Sequence, residues 1–317
     1  MQYHPSAPVV RRSNDSFRID CDRIQRSAAF RALAGKTQVV PLPRLERLRT
    51  RITHVLEVSA IARSISRALG LDESLTEAIA LAHDMGHPPF GHVGERVLAH
   101  LAGHFHHAAH GVRVVETLEP LALSPEVRAG ILIHSKGKGT IVASRLLADV
   151  PHATREAIVV RVADLIAYAS HDSDDAAQLG FLGMEELPVD VVRMLDRHTP
   201  VSMPLPLRIA TSFARDVIDA SRAGGVQMSE EGEAALSSLR ALLYERFYER
   251  DELLEYVPVI ERVLGTVFEA ACKTLAPRDA LDAVASMTDR SVVEQYERVT
   301  RMTVRGAEGP SELARAA

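Results

Sequence analysis

The segment 153–172 (ATREAIVVRVADLIAYASHD) constrains the fold more than any other part of the chain. Its apolar residues surround a helix on most sides, which predicts a helix buried inside the protein. Asp164 lies in the middle of this helix, and an isolated buried carboxylate is costly unless it is paired or bound to a metal. Tyr168 and Asp172 follow at i+4 and i+8, on the same face. A structural ion pair would satisfy Asp164, but three polar groups in register favour the lining of a site.

Helical periodicity dominates the rest of the chain, and it predicts an all-α protein. The only β-like run, 37–40, is cut short by Pro41 and Pro43. Besides the helix of 153–172 and a helix that ends at His83-Asp84, the pattern predicts helices at 17–33, 48–69, 94–98, 112–118, 125–134, 139–148, 207–222, 231–250, 251–275, 279–286 and 291–302.

Changes in composition divide the chain into four parts. We expect a mobile arm at 1–16, a core that carries the site at 17–180, a helical part packed on that core at 181–303, and a disordered tail at 304–317.

Composition indicates a cytoplasmic protein without a membrane partner. No apolar run reaches membrane-spanning length, and the N-terminus lacks the apolar region of a signal peptide. The two cysteines, Cys21 and Cys272, lie far apart and indicate a reduced compartment. The net charge of −5 is uneven, since residues 1–67 hold 13 Lys/Arg against 5 Asp/Glu. This basic part favours an anionic partner, although on charge alone a solvated face or a subunit contact explains it equally well.

The stretch 83–95 (HDMGHPPFGHVGE) is the densest in reactive side chains. A helix delivers His83 and Asp84 at its end, and the Pro88-Pro89 turn cannot continue it. A second helix then starts near His92 and Glu95. This arrangement gathers five polar groups, His87 among them, around one small space.

Two imidazoles and two carboxylates on three predicted helices form a ligand set for one divalent metal: His54, His83, Asp84 and Asp164. Mixed nitrogen and oxygen ligands suit Mn, Fe, Co, Ni or Zn, and four protein ligands leave positions open for water and substrate. Taken alone, His54 is as well explained as a core histidine with a backbone partner.

Proton transfer is the chemistry that the restarted helix favours. Glu95 lies three residues after His92, so it can hydrogen-bond one imidazole nitrogen and orient the ring for transfer to a leaving oxygen. Arg51, His87, Tyr168 and the basic N-terminal part would surround an anionic substrate. The histidines of 100–110 fit no single metal template, and the basic loop 135–139 is weak evidence for phosphate binding.

The order of these motifs resembles the HD-domain phosphohydrolases, in particular the bacterial dGTPase-like deoxynucleoside triphosphate triphosphohydrolases. The resembling segments cover nearly the whole chain; they are 22–40, 49–58, 82–95, 131–139, 162–176 and 287–290. GHPPFGHVGE and ADLIAY are the most specific of the matching sequences.

The resemblance implies an HD-domain helical bundle with additional C-terminal helices, the HD core lying at 17–180. It implies one divalent metal per subunit, with Mn favoured over Mg, Co, Ni, Fe or Zn, and the reaction of water with a dNTP to give deoxynucleoside and tripolyphosphate. It also implies a homo-oligomer, and it makes a regulatory dNTP and single-stranded nucleic acid candidate partners. The implied roles are metal binding by His54, His83, Asp84 and Asp164, catalysis by His92 and Glu95, phosphate binding by Arg51, His87 and Tyr168, deoxyribose contact by Gln38 and Asp172, and a substrate contact by Arg290.

Two departures from the family pattern leave alternatives open. The family's His-Asn-x-Gln-Ser is replaced by HAAHG at 107–111, which removes polar groups, and Leu48 stands where an aromatic residue is usual. One alternative is an HD phosphohydrolase that acts on nucleoside monophosphates, cyclic nucleotides or alarmones. The other is a nucleotide- or nucleic-acid-binding module whose hydrolase site has decayed.

Overall fold

A computed structural model describes residues 14–41, 47–135 and 146–300, and its described part confirms the all-α prediction. Several predictions fall outside the described residues. They concern residues 1–13 of the arm predicted at 1–16, loop residues 136–139, residues 139–145 of the helix predicted at 139–148, and the tail 304–317. The α-helices are α1 Asn14–Arg26, α2 Ala28–Ala32, α3 Arg51–Ala68, α4 Glu73–Ala82, α5 Gly91–Ala102, α6 His107–Arg113, α7 Pro125–Ile133, α8 Leu146–Asp149, α9 Arg155–Gln178, α10 Val189–His198, α11 Leu205–Ala220, α12 Glu230–Leu243, α13 Asp251–Leu254, α14 Tyr256–Cys272, α15 Pro277–Ala285 and α16 Asp289–Thr300.

Helix α9 is the centre of the larger hydrophobic core. Thr154 caps its first turn by accepting a hydrogen bond from the backbone N–H of Ala157, and Gly180, in the left-handed region, follows its end. Helices α3, α4, α7, α11 and α12 pack around it. Its burial on most sides is therefore as the apolar pattern predicts, and it carries Asp164 into the interior.

The observed elements differ from the predicted ones at three places. The helix predicted at 17–33 breaks at Ser27, whose side chain accepts from the N–H of Phe30 and so starts α2. The β-like run at 37–40 makes only one isolated bridge, from Thr37 to Thr50. Helix α10 has no counterpart among the predicted helices, although Val191, Met194 and Leu195 lie at helical spacing on its buried side.

A second, smaller core joins α5 to the C-terminal helices α14, α15 and α16. The larger core extends from Phe17 to Leu253, so it crosses the boundary predicted at 180. The division of the chain into a core and a C-terminal part remains a prediction. No helix of the described residues is long and apolar enough to cross a membrane.

A close backbone contact brings α6 against the turn that follows α4. A Cβ added to Gly86 would lie 2.1 Å from the carbonyl oxygen of His107 and 2.2 Å from the backbone nitrogen of Gly111. Only glycine fits such an approach, because no real Cβ atom comes that near to backbone atoms. The contact places the side chain of His107 beside the His83-Asp84 pair.

Asp289 connects the N-terminal segment, the start of α5 and the last described helix. Its Oδ2 accepts from the backbone N–H of Thr37 at 2.9 Å and from the Thr37 hydroxyl, and its Oδ1 accepts from the N–H of Phe90 at 2.8 Å. Phe90 has a φ of 61°, a left-handed conformation that is uncommon for a bulky residue. The hydrogen bond that Asp289 accepts from Phe90 therefore helps to hold the turn that starts α5.

We predict that Gly86→Ala lowers the free energy of unfolding by about 1–3 kcal/mol, because the new methyl group overpacks the contact with α6. Urea denaturation followed by circular dichroism measures it. Gly265→Ala is the matched control, since Gly265 lies inside α14 with open space at its Cβ position. That substitution should stabilise the protein by up to about 1 kcal/mol. Equal midpoints for wild type and Gly86→Ala would contradict the close contact.

Candidate metal centre and active site

His83 stands directly after the last turn of α4, with Asp84 next to it. The ring of His83 is fully buried, and its Nδ1 lies 2.7 Å from the carbonyl oxygen of Ala80. Because that oxygen only accepts hydrogen bonds, a neutral ring carries its proton on Nδ1 and its lone pair on Nε2. Nε2 lies 3.4 Å from Oδ1 of Asp84 and 3.8 Å from Oδ1 of Asp164. Nε2 of His83 is therefore the atom of this ring that can bind a metal.

The structure brings the four predicted metal ligands together. Nε2 of His54 lies 3.0 Å from Oδ1 of Asp164 and 3.7 Å from Oδ2 of Asp84. Ligand bonds of about 2.0–2.2 Å put neighbouring ligand atoms roughly 3–3.5 Å apart. Among the described residues, none makes a hydrogen bond of normal geometry to the buried atoms His54 Nε2, His83 Nε2 or Asp164 Oδ1. Buried polar atoms rarely lack a partner, so this donor set fits a divalent metal.

Arg51 is the fixed partner of Asp84. Its Nη1 donates to Oδ2 of Asp84 at 2.6 Å, its Nε donates to the carbonyl oxygen of Thr37 at 3.1 Å, and the side chain is fully buried. Burial alone would raise the pKa of Asp84, but His83 and Arg51 outweigh it and hold that pKa well below its usual value. Asp84 is therefore a carboxylate. Arg51, predicted to bind phosphate, lies behind Asp84 and outside the cavity wall described below.

A chain of hydrogen bonds runs from His54 to Tyr248, in the helical turn that follows α12. Nδ1 of His54 lies 2.7 Å from Nε2 of His171, and Nδ1 of His171 lies 2.8 Å from Oδ1 of Asp172. The hydroxyl of Tyr248 donates to the other oxygen of Asp172. Burial would lower the pKa of His171, but Asp172 outweighs it and raises that pKa above its usual value. When the His171 ring is neutral with its proton directed at Asp172, its Nε2 accepts from Nδ1 of His54, and the lone pair of His54 then lies on Nε2, the atom that faces the other predicted ligands.

The predicted catalytic pair is in hydrogen-bonding contact at the start of α5. Nδ1 of His92 lies 3.0 Å from Oε2 of Glu95, as the three-residue spacing predicts. Oε1 of Glu95 accepts from the backbone N–H of His107 and lies equally near its Nδ1, both at 2.8 Å. Burial would raise the pKa of Glu95, but hydrogen bonds from His107 and His92 hold it far below its usual value. An ionised Glu95 thus fixes both rings.

Two histidines of this centre had no assigned role in the sequence interpretation, His107 and His134. His107 stacks on His87 with ring centroids 3.9 Å apart, and its Nε2 lies 3.1 Å from Nε2 of His134. Burial is the main cause that lowers the pKa of His134 to about 3, and the neighbouring His83 and His107 lower it further. Two signals pointed to His107, the density of histidines in 100–110 and the retained histidine of the family pattern at 107–111, but its position depends on the contact at Gly86.

A cavity of about 550 Å³ opens beside the metal ligands. Gln38 lines it, and both polar atoms of its buried amide lack a hydrogen-bond partner in the described part of the chain. Tyr168 also lines it, with its hydroxyl 3.4 Å from Nε2 of His92. The far wall comes from the C-terminal helices and includes Arg240, Tyr244, Tyr248, Leu253, Leu254 and Val257.

The structure does not bring every predicted substrate residue to this cavity. His87 lines it, and burial together with Arg51 holds the pKa of His87 well below its usual value. Asp172 is fully buried and reaches the wall only through Tyr248. Arg290 is exposed on the first turn of α16 and is not part of the wall.

We predict that Asp172→Asn weakens binding of Mn²⁺ by about 10–100-fold, the range typical when a partner of a metal-binding histidine is lost. The amide introduced at position 172 can donate to Nδ1 of His171. The proton of the His171 ring then lies on Nε2, toward His54, and disturbs the lone pair with which His54 would bind the metal. Competition with a chelating dye measures the affinity. Asp174→Asn is the control, since Arg49 keeps Asp175 as its partner. Unchanged affinity in Asp172→Asn would refute the role of the chain.

Comparisons with known proteins identify the family of the chain. The family model of the HD domain matches residues 51–169. The chain is 38% identical to a deoxyguanosinetriphosphate triphosphohydrolase-like protein of Desulfatibacillum aliphaticivorans, over 93% of this chain and 90% of that protein. It is 41% identical to a protein of the same name from Caldanaerobacter subterraneus subsp. tengcongensis, over 89% and 84%. The crystal structure of a hypothetical protein from Aquifex aeolicus shares the fold, with a TM-score of 0.50 and 19% identity over 89% of this chain and 71% of that one. The chain belongs to the HD-domain phosphohydrolases, in the family of deoxyguanosinetriphosphate triphosphohydrolase-like proteins.

Proposed function

We propose that the protein hydrolyses deoxynucleoside triphosphates to deoxynucleoside and tripolyphosphate, with one divalent metal, preferably Mn, at the HD centre. The observation that carries this proposal is the convergence of His54 Nε2, His83 Nε2 and Asp164 Oδ1, which make no hydrogen bond of normal geometry within the described part of the chain, at a cavity that His92 also lines. The names of the relatives support the substrate class, because they are called deoxyguanosinetriphosphate triphosphohydrolase-like.

The four ligands would hold the metal by two neutral imidazoles and two carboxylates. A metal bound there polarises a phosphoryl oxygen and lowers the pKa of a bound water. Asp84 keeps its charge because Arg51 donates to it. Asp164 sits on the buried helix α9 and borders the cavity, so the ligand set faces the space where a phosphate would bind.

His92 is the proposed proton donor. Water attacks the α-phosphorus, the bond from phosphorus to the 5′ oxygen breaks, and that oxygen takes a proton from Nε2 of His92. Nδ1 of His92 is held by Glu95, and its side chain is 52% exposed, so the other nitrogen is accessible to a substrate. An ionised Glu95 holds Nδ1 of the ring and so keeps Nε2 oriented for transfer to the leaving oxygen.

The remaining cavity residues suit a nucleoside triphosphate. Gln38 offers an amide without a protein partner to the sugar, and Tyr168 offers a hydroxyl near His92. Tyr248 connects the sugar side of the cavity to Asp172, so we assign Asp172 an indirect part in substrate binding. Aromatic and aliphatic side chains of the far wall, Tyr244 and Leu254 among them, suit the face of a base.

The replacement at 107–111 counts less against activity than the sequence suggests. The positions that lose Asn, Gln and Ser are Ala108, His110 and Gly111; all three are buried and none is part of the cavity wall, whereas His107 is. The lost polar groups are therefore not taken from the wall beside the metal ligands. This favours an active hydrolase over a binding module with a decayed site.

Incubation of the protein with each dNTP and rNTP and several divalent metals tests the proposal. We expect dNTPs with Mn²⁺ to give tripolyphosphate and deoxynucleoside in equal amounts, resolved by anion-exchange chromatography. Release of only orthophosphate or pyrophosphate would favour the alternative of a different HD phosphohydrolase. Binding of dNTPs without turnover under every metal would favour the decayed-site alternative.

We predict that His92→Asn lowers kcat for dNTP hydrolysis by about 10²–10⁴-fold, the usual contribution of a positioned proton donor. Binding of Mn²⁺ should stay within about two-fold of wild type, because His92 is not a ligand of the proposed metal. His104→Asn, an exposed histidine outside the cavity wall, is the control for the loss of an imidazole. A His92→Asn enzyme with wild-type kcat would remove His92 from the reaction.

A further inference from the structure

Lys36 is a buried lysine whose side chain joins two backbone segments that are far apart in sequence. Its Nζ donates to the carbonyl oxygen of His87 at 2.5 Å and to that of Ala285, the last residue of α15, at 2.9 Å. Lysine is almost never fully buried unless its charged end is paired. Lys36 is 3% exposed and is not part of the cavity wall, so it does not touch a substrate bound there.

The turn between α4 and α5 crosses from one hydrophobic core to the other. Met85 is buried in the larger core, together with α3, α4 and α9, whereas Phe90 is buried in the smaller core with α14, α15 and α16. The elements that carry the four proposed metal ligands therefore belong to the larger core. Helix α5, which carries His92 and Glu95, packs against α14 and α15. The position of His92 relative to the metal ligands thus depends on how the two cores are held together at this turn.

Lys36 makes its hydrogen bonds at this crossing. Its chain segment belongs to the larger core through Leu33. Its carbonyl oxygen accepts from the N–H of Arg51, the first residue of α3, at 3.1 Å. Its side chain reaches the turn at His87 and the smaller core at Ala285. One residue therefore connects the start of a ligand-bearing helix, the turn after α4 and the smaller core.

The residues on both sides of Lys36 are also in contact with the C-terminal part of the chain. A Cβ added to Gly35 would lie 2.9 Å from Cγ2 of Thr288, so the backbone there approaches the residue before α16 closely. Thr37 donates to Asp289 through its N–H and its hydroxyl. The segment 35–37 is therefore fixed to the smaller core along its whole length.

We propose that Lys36 is a positioning residue: its side chain holds the turn after α4 to α15, and so sets the distance between His92 and the metal ligands. The proposal rests on the proposed function, because it concerns the approach of His92 to the leaving oxygen. A purely structural role is the competing explanation. A positioning role affects turnover only while His92 transfers the proton, whereas a structural role affects turnover by the same factor with and without His92.

The first experiment replaces Lys36 with methionine, which has a similar length and no charged donor. We expect Lys36→Met to lower kcat for dNTP hydrolysis by about 10–100-fold, because a misplacement of roughly 1 Å can cost that much. KM should rise by a smaller factor. Binding of Mn²⁺ should stay at the wild-type level, because the proposed ligands lie on elements of the larger core. A wild-type kcat in Lys36→Met would overturn the proposal.

The same substitution in a His92→Asn background separates positioning from a structural role. There, Lys36→Met should change the residual kcat by less than about two-fold, because residues that act through one another have non-additive effects. Loss by the same factor in both backgrounds would overturn the proposal in favour of a structural role. Lys273→Met is the matched control, since this exposed lysine follows α14 and lies outside the cavity wall. It should keep the wild-type kcat.

Hydrogen exchange followed by mass spectrometry tests the same contact without a substrate. In Lys36→Met, backbone amides of residues 87–93 should exchange roughly tenfold faster, as expected when a hydrogen bond from a charged donor is lost. Amides of α9 should keep their rates, and so should residues 87–93 in Lys273→Met. Unchanged exchange at 87–93 in Lys36→Met would overturn the proposal.

The exchange measurement also keeps this proposal separate from the proposed function. A wild-type protein that hydrolyses no dNTP would refute the proposed function, and exchange would still decide whether Lys36 holds the turn. If circular dichroism shows that Lys36→Met does not fold, Lys36→Gln takes its place. Its amide keeps one donor, so it should show the same effects on kcat and on exchange at smaller size, and wild-type values of both would overturn the proposal.

Discussion

The negative charge of Asp84 is the constraint on which the rest of the centre depends. It is buried, and burial of an unpaired carboxylate would cost several kcal/mol. Arg51 satisfies one of its oxygens. Imidazole Nε2 atoms surround the carboxylate at 3.4–3.9 Å, from His54, His83, His87 and His134. Among the described residues, Nε2 of His54 and Nε2 of His83 make no hydrogen bond of normal geometry, and a divalent cation bound between them and the carboxylates would satisfy both nitrogens.

The fold provides this concentration of ligands by bringing distant segments against one turn. Helix α9 holds Asp164 in the larger core, while the close contact at Gly86 brings α6 and its histidine to the same place. Asp289 fixes the turn before α5 from the opposite end of the chain. Tyr248 adds a hydrogen bond from the C-terminal helices to the partners of His54. The metal centre therefore depends on residues outside the segment 51–169 that matches the HD domain.

The parts of the site that the sequence predicts are those with a local pattern. Asp164 stands out because it interrupts an apolar helix, and His92 and Glu95 stand out because Glu95 follows His92 by three positions on one helix. The partners of these residues could not be predicted in the same way. His134 meets His107, and His171 meets His54, only after helices far apart in sequence have packed. Ser27 shows the same limit for the fold, since a single side-chain cap divides what periodicity predicts as one helix.

The central claim is that His54, His83, Asp84 and Asp164 hold a divalent metal at the end of the cavity. Anomalous diffraction from crystals grown with Mn²⁺, recorded on both sides of the Mn absorption edge, tests it most directly. The account predicts a strong anomalous peak about 2.0–2.3 Å from Nε2 of His54 and Nε2 of His83, in contact with both carboxylates. Well-ordered crystals with these four side chains in place and no peak between them would contradict it.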